Sequence, residues 1–215
     1  MANKKPKISE GTTNRRNPTQ IRSREKVEKI LLAVKYLIEK NGVANLTISS
    51  IAKRAGVSPS SMYQYFSDKE TIIIALAEHY MVQINDIIEN NLKDLNRHAQ
   101  IIDVIGNNFM DIYDLHVREI ALREIWFGSV DPRMNQLAFQ DTQKNVQLIM
   151  DKITPFIPED KLEPCNEFVE LVSHQFAATL RLAIASGEEK GRHFVAMHTK
   201  MVSNCLLEYL GTERV

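Results

Sequence analysis

Apolar residues recur at three- and four-residue spacing along almost the whole chain, and little interrupts them. A backbone patterned this way buries one stripe per helix and has no use for the two-residue alternation of a strand. With only 8 Gly and 7 Pro among 215 residues and 44% hydrophobic content, the chain reads as all-α and long enough to bury a sizeable core. It is either one medium domain or a small domain followed by a larger one.

Val27, Ile30, Leu31, Val34, Leu37 and Ile38 predict an amphipathic helix over about residues 22–40, stopped by Asn41-Gly42. Thr47 then offers an N-cap oxygen to a short helix ending near Ala55, with Ile51 and Ala52 inward and Gly56 at the C-terminal cap. Ser58 is the next N-cap. Pro59 sits at the first helical position, where its missing N–H costs nothing, and a third helix is expected through about Phe66. Met62 and Phe66 are its buried side, which leaves Pro59, Ser60, Ser61, Tyr63, Gln64 and Tyr65 facing out, without an anionic group among them. Ser67 or Asp68 caps a fourth helix that begins near Lys69 and buries Ile72, Leu76, Tyr80, Ile84 and Ile88.

Further along, Ile101 to Phe127 reads as one or two helices, relaxed at Gly106, before a break at residues 128–132. The helical pattern resumes over 133–154, and three prolines make 154–164 a loop. Two long helices close the chain. Phe168, Leu171, Val172, Phe176 and Leu180 mark the first, and Phe194, Met197, Met201, Val202, Cys205 and Tyr209 the second. Small residues, Ala177, Ala178, Ala183 and Ala185, suit this hairpin to close packing against its copy in a second chain.

The net charge is zero, but the signs are segregated. Residues 1–75 carry 14 lysines and arginines against 6 acidic residues, a net +8, which leaves the rest at −8. A basic module joined to an acidic one suggests that only the first meets a polyanion, since neutralising phosphates dominates nonspecific nucleic-acid affinity. Lys4, Lys5, Lys7, Arg15, Arg16, Arg22 and Arg24 make the N-terminus a basic tail, either a solubilising segment or an arm laid along a DNA backbone or minor groove. It lacks the apolar core of an export signal, and the longest apolar run, Ile72 to Ala77, is far below the roughly 20 residues of a membrane span. A cytoplasmic protein without membrane contact is expected. Cys165 and Cys205 have no CxxC spacing, and the six histidines lack HExxH spacing. No phosphate-binding glycine loop or nucleophile elbow occurs either, so the expectation is no enzyme, no metal and no cofactor.

The segment from Thr47 to Glu70, TISSIAKRAGVSPSSMYQYFSDKE, resembles the DNA-binding signature of TetR-family regulators in its ordered elements: the leading Thr, the I-A-x-x-A-G-V-S turn, the Y-x-Y-F end and the following K-E. The likeness covers about residues 22–72. It implies a three-helix helix-turn-helix reader over residues 21–68, after a flexible tail over 1–20, and a helical ligand-binding and dimerisation domain over 69–215. It also implies that Thr47 holds a phosphate and that Ser49 approaches a base or phosphate. Ser58, Pro59, Ser60 and Ser61 would open the recognition helix toward the major groove, Tyr63 and Tyr65 would grip sugar and phosphate, and Gln64 would sit beside them, able to pair with adenine. Lys69 would bind a phosphate. The plainer alternatives are that Thr47 only caps its helix, that Tyr63 or Tyr65 closes the rim of the core, and that Lys69 is solvated.

The partners this implies are double-stranded DNA with a near-palindromic operator, a second copy of the chain through the C-terminal helices, and a small apolar or amphipathic ligand that relieves repression. Candidate ligand-lining residues are Phe109, Met110, Tyr113, Trp126, Phe127, Phe139, Met150 and Phe176, chosen as aromatic and Met positions that equally suit a core. The competing reading is a ligand-independent dimeric DNA-binding protein whose C-terminal half recruits a protein partner.

Overall fold

The computed structural model describes residues 18–129 and 131–210, and nine α-helices make up its architecture, with no strand among those residues. The expected tail falls over residues 1–17 outside this range, while 18–20 form the first turn of α1 (Pro18–Asn41). Two short helices come next, α2 (Ile48–Ala55) and α3 (Pro59–Met62), then the long α4 (Lys69–Leu92). The second half contains α5 (Ile101–Arg118), α6 (Ile120–Gly128), α7 (Pro132–Ile153), α8 (Leu162–Ala185) and α9 (Glu188–Leu206). Short 3-10 turns lie in three of the connections, one before α2, one before α5 and two between α7 and α8.

Local chemistry sets the first boundaries. Thr47 is extended, and its hydroxyl accepts from the Ser50 amide at 3.2 Å, while the Ser50 hydroxyl is held by the Thr47 backbone in a reciprocal capping box. Gly56 ends α2 in the left-handed region, φ 67° and ψ 33°, its N–H returning to the Ala52 carbonyl. Ser58 caps α3 and Asp68 caps α4, the latter through a 2.7 Å bond from the Thr71 amide.

Elsewhere tertiary packing overrides the sequence pattern. Instead of running to Phe66, α3 stops at Met62. The amides of Gln64 and Tyr65 turn back to the carbonyls three residues before them, and this tight turn swings Phe66 into the core. The break between α5 and α6 lies at Glu119, not at Gly106, which stays helical and lies where Thr199 of α9 would come within 3.2 Å of a Cβ. Pro164 is not in a loop; it occupies the first turn of α8, where no amide donor is required. Gly191 is buried at the start of α9 for a related reason: a Cβ there would overlap the Tyr113 hydroxyl and the Ala183 carbonyl.

The largest core cluster ties an N-terminal head, made of α1, α2, α3 and the start of α4, to the second half of the chain. Ile30, Val34 and Ile38 of α1, Ile51 of α2, Met62 of α3 and Ile72, Leu76 and Tyr80 of α4 pack with Leu115 of α5 and Ala121, Leu122 and Ile125 of α6. Smaller clusters lie between α5, α7, α8 and α9. Of the apolar positions that mark the two hairpin helices, Leu171 on α8 and Met197, Met201 and Cys205 on α9 are exposed, as are Leu182 and Ala178 on α8. Ala183 is the converse, fully buried inside its own protomer. The α8–α9 pair therefore has one apolar face spent on the core and a second, smaller one left open.

Because nothing lies within 4 Å of the position a Gly56 Cβ would take, replacing it incurs only the left-handed backbone penalty. Gly56→Ala is expected to lower unfolding free energy by about 1 kcal/mol and Gly56→Asn by less, measured as urea midpoints at unchanged slope.

Candidate nucleic-acid interface and regulatory cavity

The outer surface of α2 and α3 brings the polar positions together. Ser49, Ser58, Pro59, Ser60, Tyr63 and Gln64 are exposed, as is Thr47 at the start of α2. The three serines around Pro59 form one hydroxyl cluster: Ser58 Oγ lies 2.9 Å from Ser60 Oγ, donates to Ser61 Oγ at 3.0 Å, and accepts from the Ser61 amide at 3.1 Å. Tyr63 is 59% exposed, whereas Tyr65 is half-buried and leans on the core of the head, so the pair is not equally outward as the sequence suggested. Lys69 opens α4, its Nζ 3.7 Å from Glu70 Oε1, a surface pair too weak to hold it. Arg54 at the end of α2 stacks on the Tyr36 ring at 3.9 Å and ties this surface to α1.

Polar links run from the head into the second half. At the α5–α6 break, Glu119 Oε2 accepts from Lys35 Nζ of α1 at 2.5 Å and from the Tyr80 hydroxyl of α4 at 3.0 Å. Burial alone would push Glu119 up, but these bonds outweigh it and hold the carboxyl below its usual range. Burial, and then the Glu119 charge, raises the Tyr80 hydroxyl. Arg133 near the start of α7 binds Asp131 at 2.7 Å and stands 3.7 Å from Asp68, the cap of α4.

A cavity of about 310 Å³ lies among α4, α5, α6, α7 and α8. Four of the eight residues put forward for a ligand line it: Phe109, Trp126, Phe139 and Phe176. Phe127 faces a neighbouring groove instead. Met110 packs beside the α5–α8–α9 cluster, Met150 is buried in the α7–α8 cluster, and Tyr113 is fully buried with its hydroxyl donating to the Glu188 carbonyl at 3.2 Å. The polar lining was missed by sequence reasoning: Asn108 and His116 on α5, Asp141 and Asn145 on α7, and His174 on α8. Its signal was present, since these residues interrupt otherwise apolar helical stripes such as Ile101-Ile105-Asn108-Ile112-His116.

His116 is 1% exposed. Its Nδ1 lies 2.8 Å from the Ile112 carbonyl, an acceptor, so this nitrogen carries the proton and Nε2 presents a lone pair. Burial depresses its pKa to about 4 despite that bond. Asp141 moves the other way, raised by burial. No group of three His, Cys, Asp or Glu side chains suited to a metal occurs among the described residues, and no described helix is long and apolar enough to cross a membrane.

Family models fit both halves. One for bacterial regulatory proteins of the tetR family matches residues 30–76, and one for a tetracyclin repressor-like C-terminal domain matches residues 99–210, over half of the chain by itself. The chain belongs to the TetR family. Among curated relatives, an uncharacterized HTH-type transcriptional regulator YvdT of Bacillus subtilis is 32% identical over 45% of this chain and 50% of its own length. The fatty acid metabolism regulator protein of the same organism is 37% identical over 33% of this chain and 37% of its own length. The chain thus aligns with about half or less of these relatives. The fold extends further than the sequence likeness: SmeT, the repressor of the Stenotrophomonas maltophilia multidrug efflux pump SmeDEF, superposes with a TM-score of 0.64 at 18% identity, over 87% of this chain and 91% of its own, and a SmeT–triclosan complex matches at 0.63.

The neutral His116 makes folding sensitive to acid. Its folded pKa lies below the unfolded value of 6.5, so the unfolded chain takes up a proton that the native state refuses as pH falls from 6.5 toward 4. Stability is fully present above pH 6.5 and is lost through that window, at no more than about 1.4 kcal/mol per pH unit from this group. His116→Gln should flatten the dependence of the urea midpoint on pH between 6.5 and 4.

Proposed function

We propose that the protein is a homodimeric, sequence-specific reader of duplex DNA that represses transcription and is released by a small molecule in the second half. The observation that carries this reading is the exposed surface of Pro59, Ser60, Tyr63 and Gln64, with the half-buried Ser61 among them, held by the Ser58 and Thr47 caps at the basic end of the chain. Hydroxyls of short side chains let a helix approach base edges closely, while Tyr63, Tyr65, Thr47 and Lys69 flank them as phosphate and sugar contacts, with Ser49 alongside. Trading condensed counterions for the head's positive charge supplies the nonspecific part of the affinity. Such a protein works where the chromosome is, in the cytoplasm.

One recognition helix of this length contacts too few bases to select a genomic site, so two copies on a near-palindromic operator are required. The open face formed by Leu171, Ala178, Leu182, Met197 and Met201 supports a four-helix contact between α8–α9 pairs. The cavity among α4–α8 supports ligand control. Its walls belong to α4, which leads to the head, and to α5, which ends at Glu119, so a molecule that favours one spacing of these helices shifts the population able to bind DNA. The triclosan complex of SmeT is a precedent on the same fold.

Purified protein should retard a duplex from the upstream region of its own gene in a mobility-shift assay and lose it to excess specific competitor. Absence of binding to any duplex at low ionic strength would overturn the reading. Lys69→Ala and Tyr65→Phe should weaken specific and random duplexes alike. For Lys69→Ala the slope of log affinity against log salt should become shallower by about 2 in a dimer, roughly 0.9 per lost phosphate contact. Ser61→Ala should change base preference at one position of each half-site and leave that slope intact.

A further inference from the structure

We infer that the cavity is built for a protonated amine on a one- or two-ring aromatic or apolar body, with the ammonium at Asp141 and the body against Phe109, Trp126 and Phe176. The inference rests on the ligand-released reading above and adds the chemical class of the ligand.

The charge of the lining favours a cation. It contains one carboxylate, Asp141, and no lysine or arginine, so an anionic ligand would meet repulsion and no counter-charge. Asp141 itself is 6% exposed and has no ion-pair partner among the described residues; its side-chain bond from Asn145 Nδ2 to Oδ2 is long at 3.4 Å. Burial raises its pKa against the charge of Lys144 and the side-chain hydrogen bonds of Asn145 and Asn85, which favour the ionised form but are outweighed. A buried carboxylate with neutral amide donors and no ion-pair partner is costly, and a bound cation lowers that cost.

Hydrogen bonding agrees. His116 Nε2 and Asn145 Oδ1 are buried without partners, and both are acceptors, the first because Nδ1 is committed to the Ile112 carbonyl. His174 Nε2 is also unpartnered; with no bond fixing its tautomer, it can meet a donor or an acceptor. The site is thus short of donors. An ammonium offers up to three and no acceptor, whereas an alcohol or phenol offers one and a carboxylate none.

Shape and polarisability point the same way. Aromatic faces carry negative potential, and Phe109, Trp126, Phe139 and Phe176 all border the space. At about 310 Å³ the cavity is roughly twice the ~150 Å³ void that accepts a single benzene ring.

The test is a matched series on the full-length protein: 1-naphthylmethylamine, 1-naphthylmethanol and 1-naphthoate, titrated calorimetrically at neutral pH. The amine should bind about tenfold or more tightly than the alcohol, and the acid not measurably. Asp141→Asn should remove most of the amine's advantage while leaving the alcohol's affinity unchanged, with the alcohol reporting that the cavity is intact. Equal binding of amine and alcohol, tightest binding by the acid, no binding by any of the three, or an unchanged amine-to-alcohol ratio in Asp141→Asn would each overturn the assignment. Mobility shifts on the same preparations keep the two readings apart: operator binding that persists in the absence of amine selectivity sinks only the ligand class, and amine selectivity without any DNA binding sinks only the regulator.

Discussion

The reading head does not close its own core. The inner stripe of α1 needs Ala121, Leu122 and Ile125 of α6 as well as α2 and α4, and Glu119, at the α5–α6 break, receives Lys35 from one side and Tyr80 from the other. The helix that crosses under the head is therefore part of its packing. Interiors at native density shift between discrete arrangements rather than deforming smoothly. A displacement of α6 is thus felt by α1 as a change in what it rests on, and Arg133 near Asp68 gives α7 a second, weaker hold on the start of α4.

The second half departs from the first in how it uses buried polarity. In the head, buried positions are almost uniformly apolar and the polar groups face outward. Around the cavity, Asn108, His116, Asp141, Asn145 and His174 lie on the inner sides of α5, α7 and α8, several with unsatisfied atoms. Local rules of helix design are violated there at a cost to stability, and such violations concentrate where a chain binds something.

What was legible in the sequence was what short-range chemistry decides. The Thr47 and Ser58 caps, the Gly56 turn, the inward Ile51, Met62 and Phe66, and the long α4 are all set by neighbours within a few residues. The failures have long-range causes. The α5–α6 break lies at Glu119, whose side chain is bound by partners on α1 and α4, and the close neighbour of Gly106, Thr199, lies in a distant helix, so neither could be read from nearby residues. For the cavity, periodicity tells which residues face inward but not whether they meet a neighbour or a void. Tyr113 and Met150 match Phe109 and Phe176 in pattern, yet the first two are buried in core clusters and do not border the space that the other two line.

Gly191 carries an evolutionary consequence. Its missing side chain is what lets α9 lie against Tyr113 and the Ala183 carbonyl, and one of those two obstacles is main chain, which no exchange of residue type removes. A lineage could shrink Tyr113 and still find the site occupied. Drift at this position is blocked unless the hairpin itself is re-spaced, so the seat of α9 on α5 and α8 is inherited as a unit, while the cavity beside it is free to change occupants one wall residue at a time.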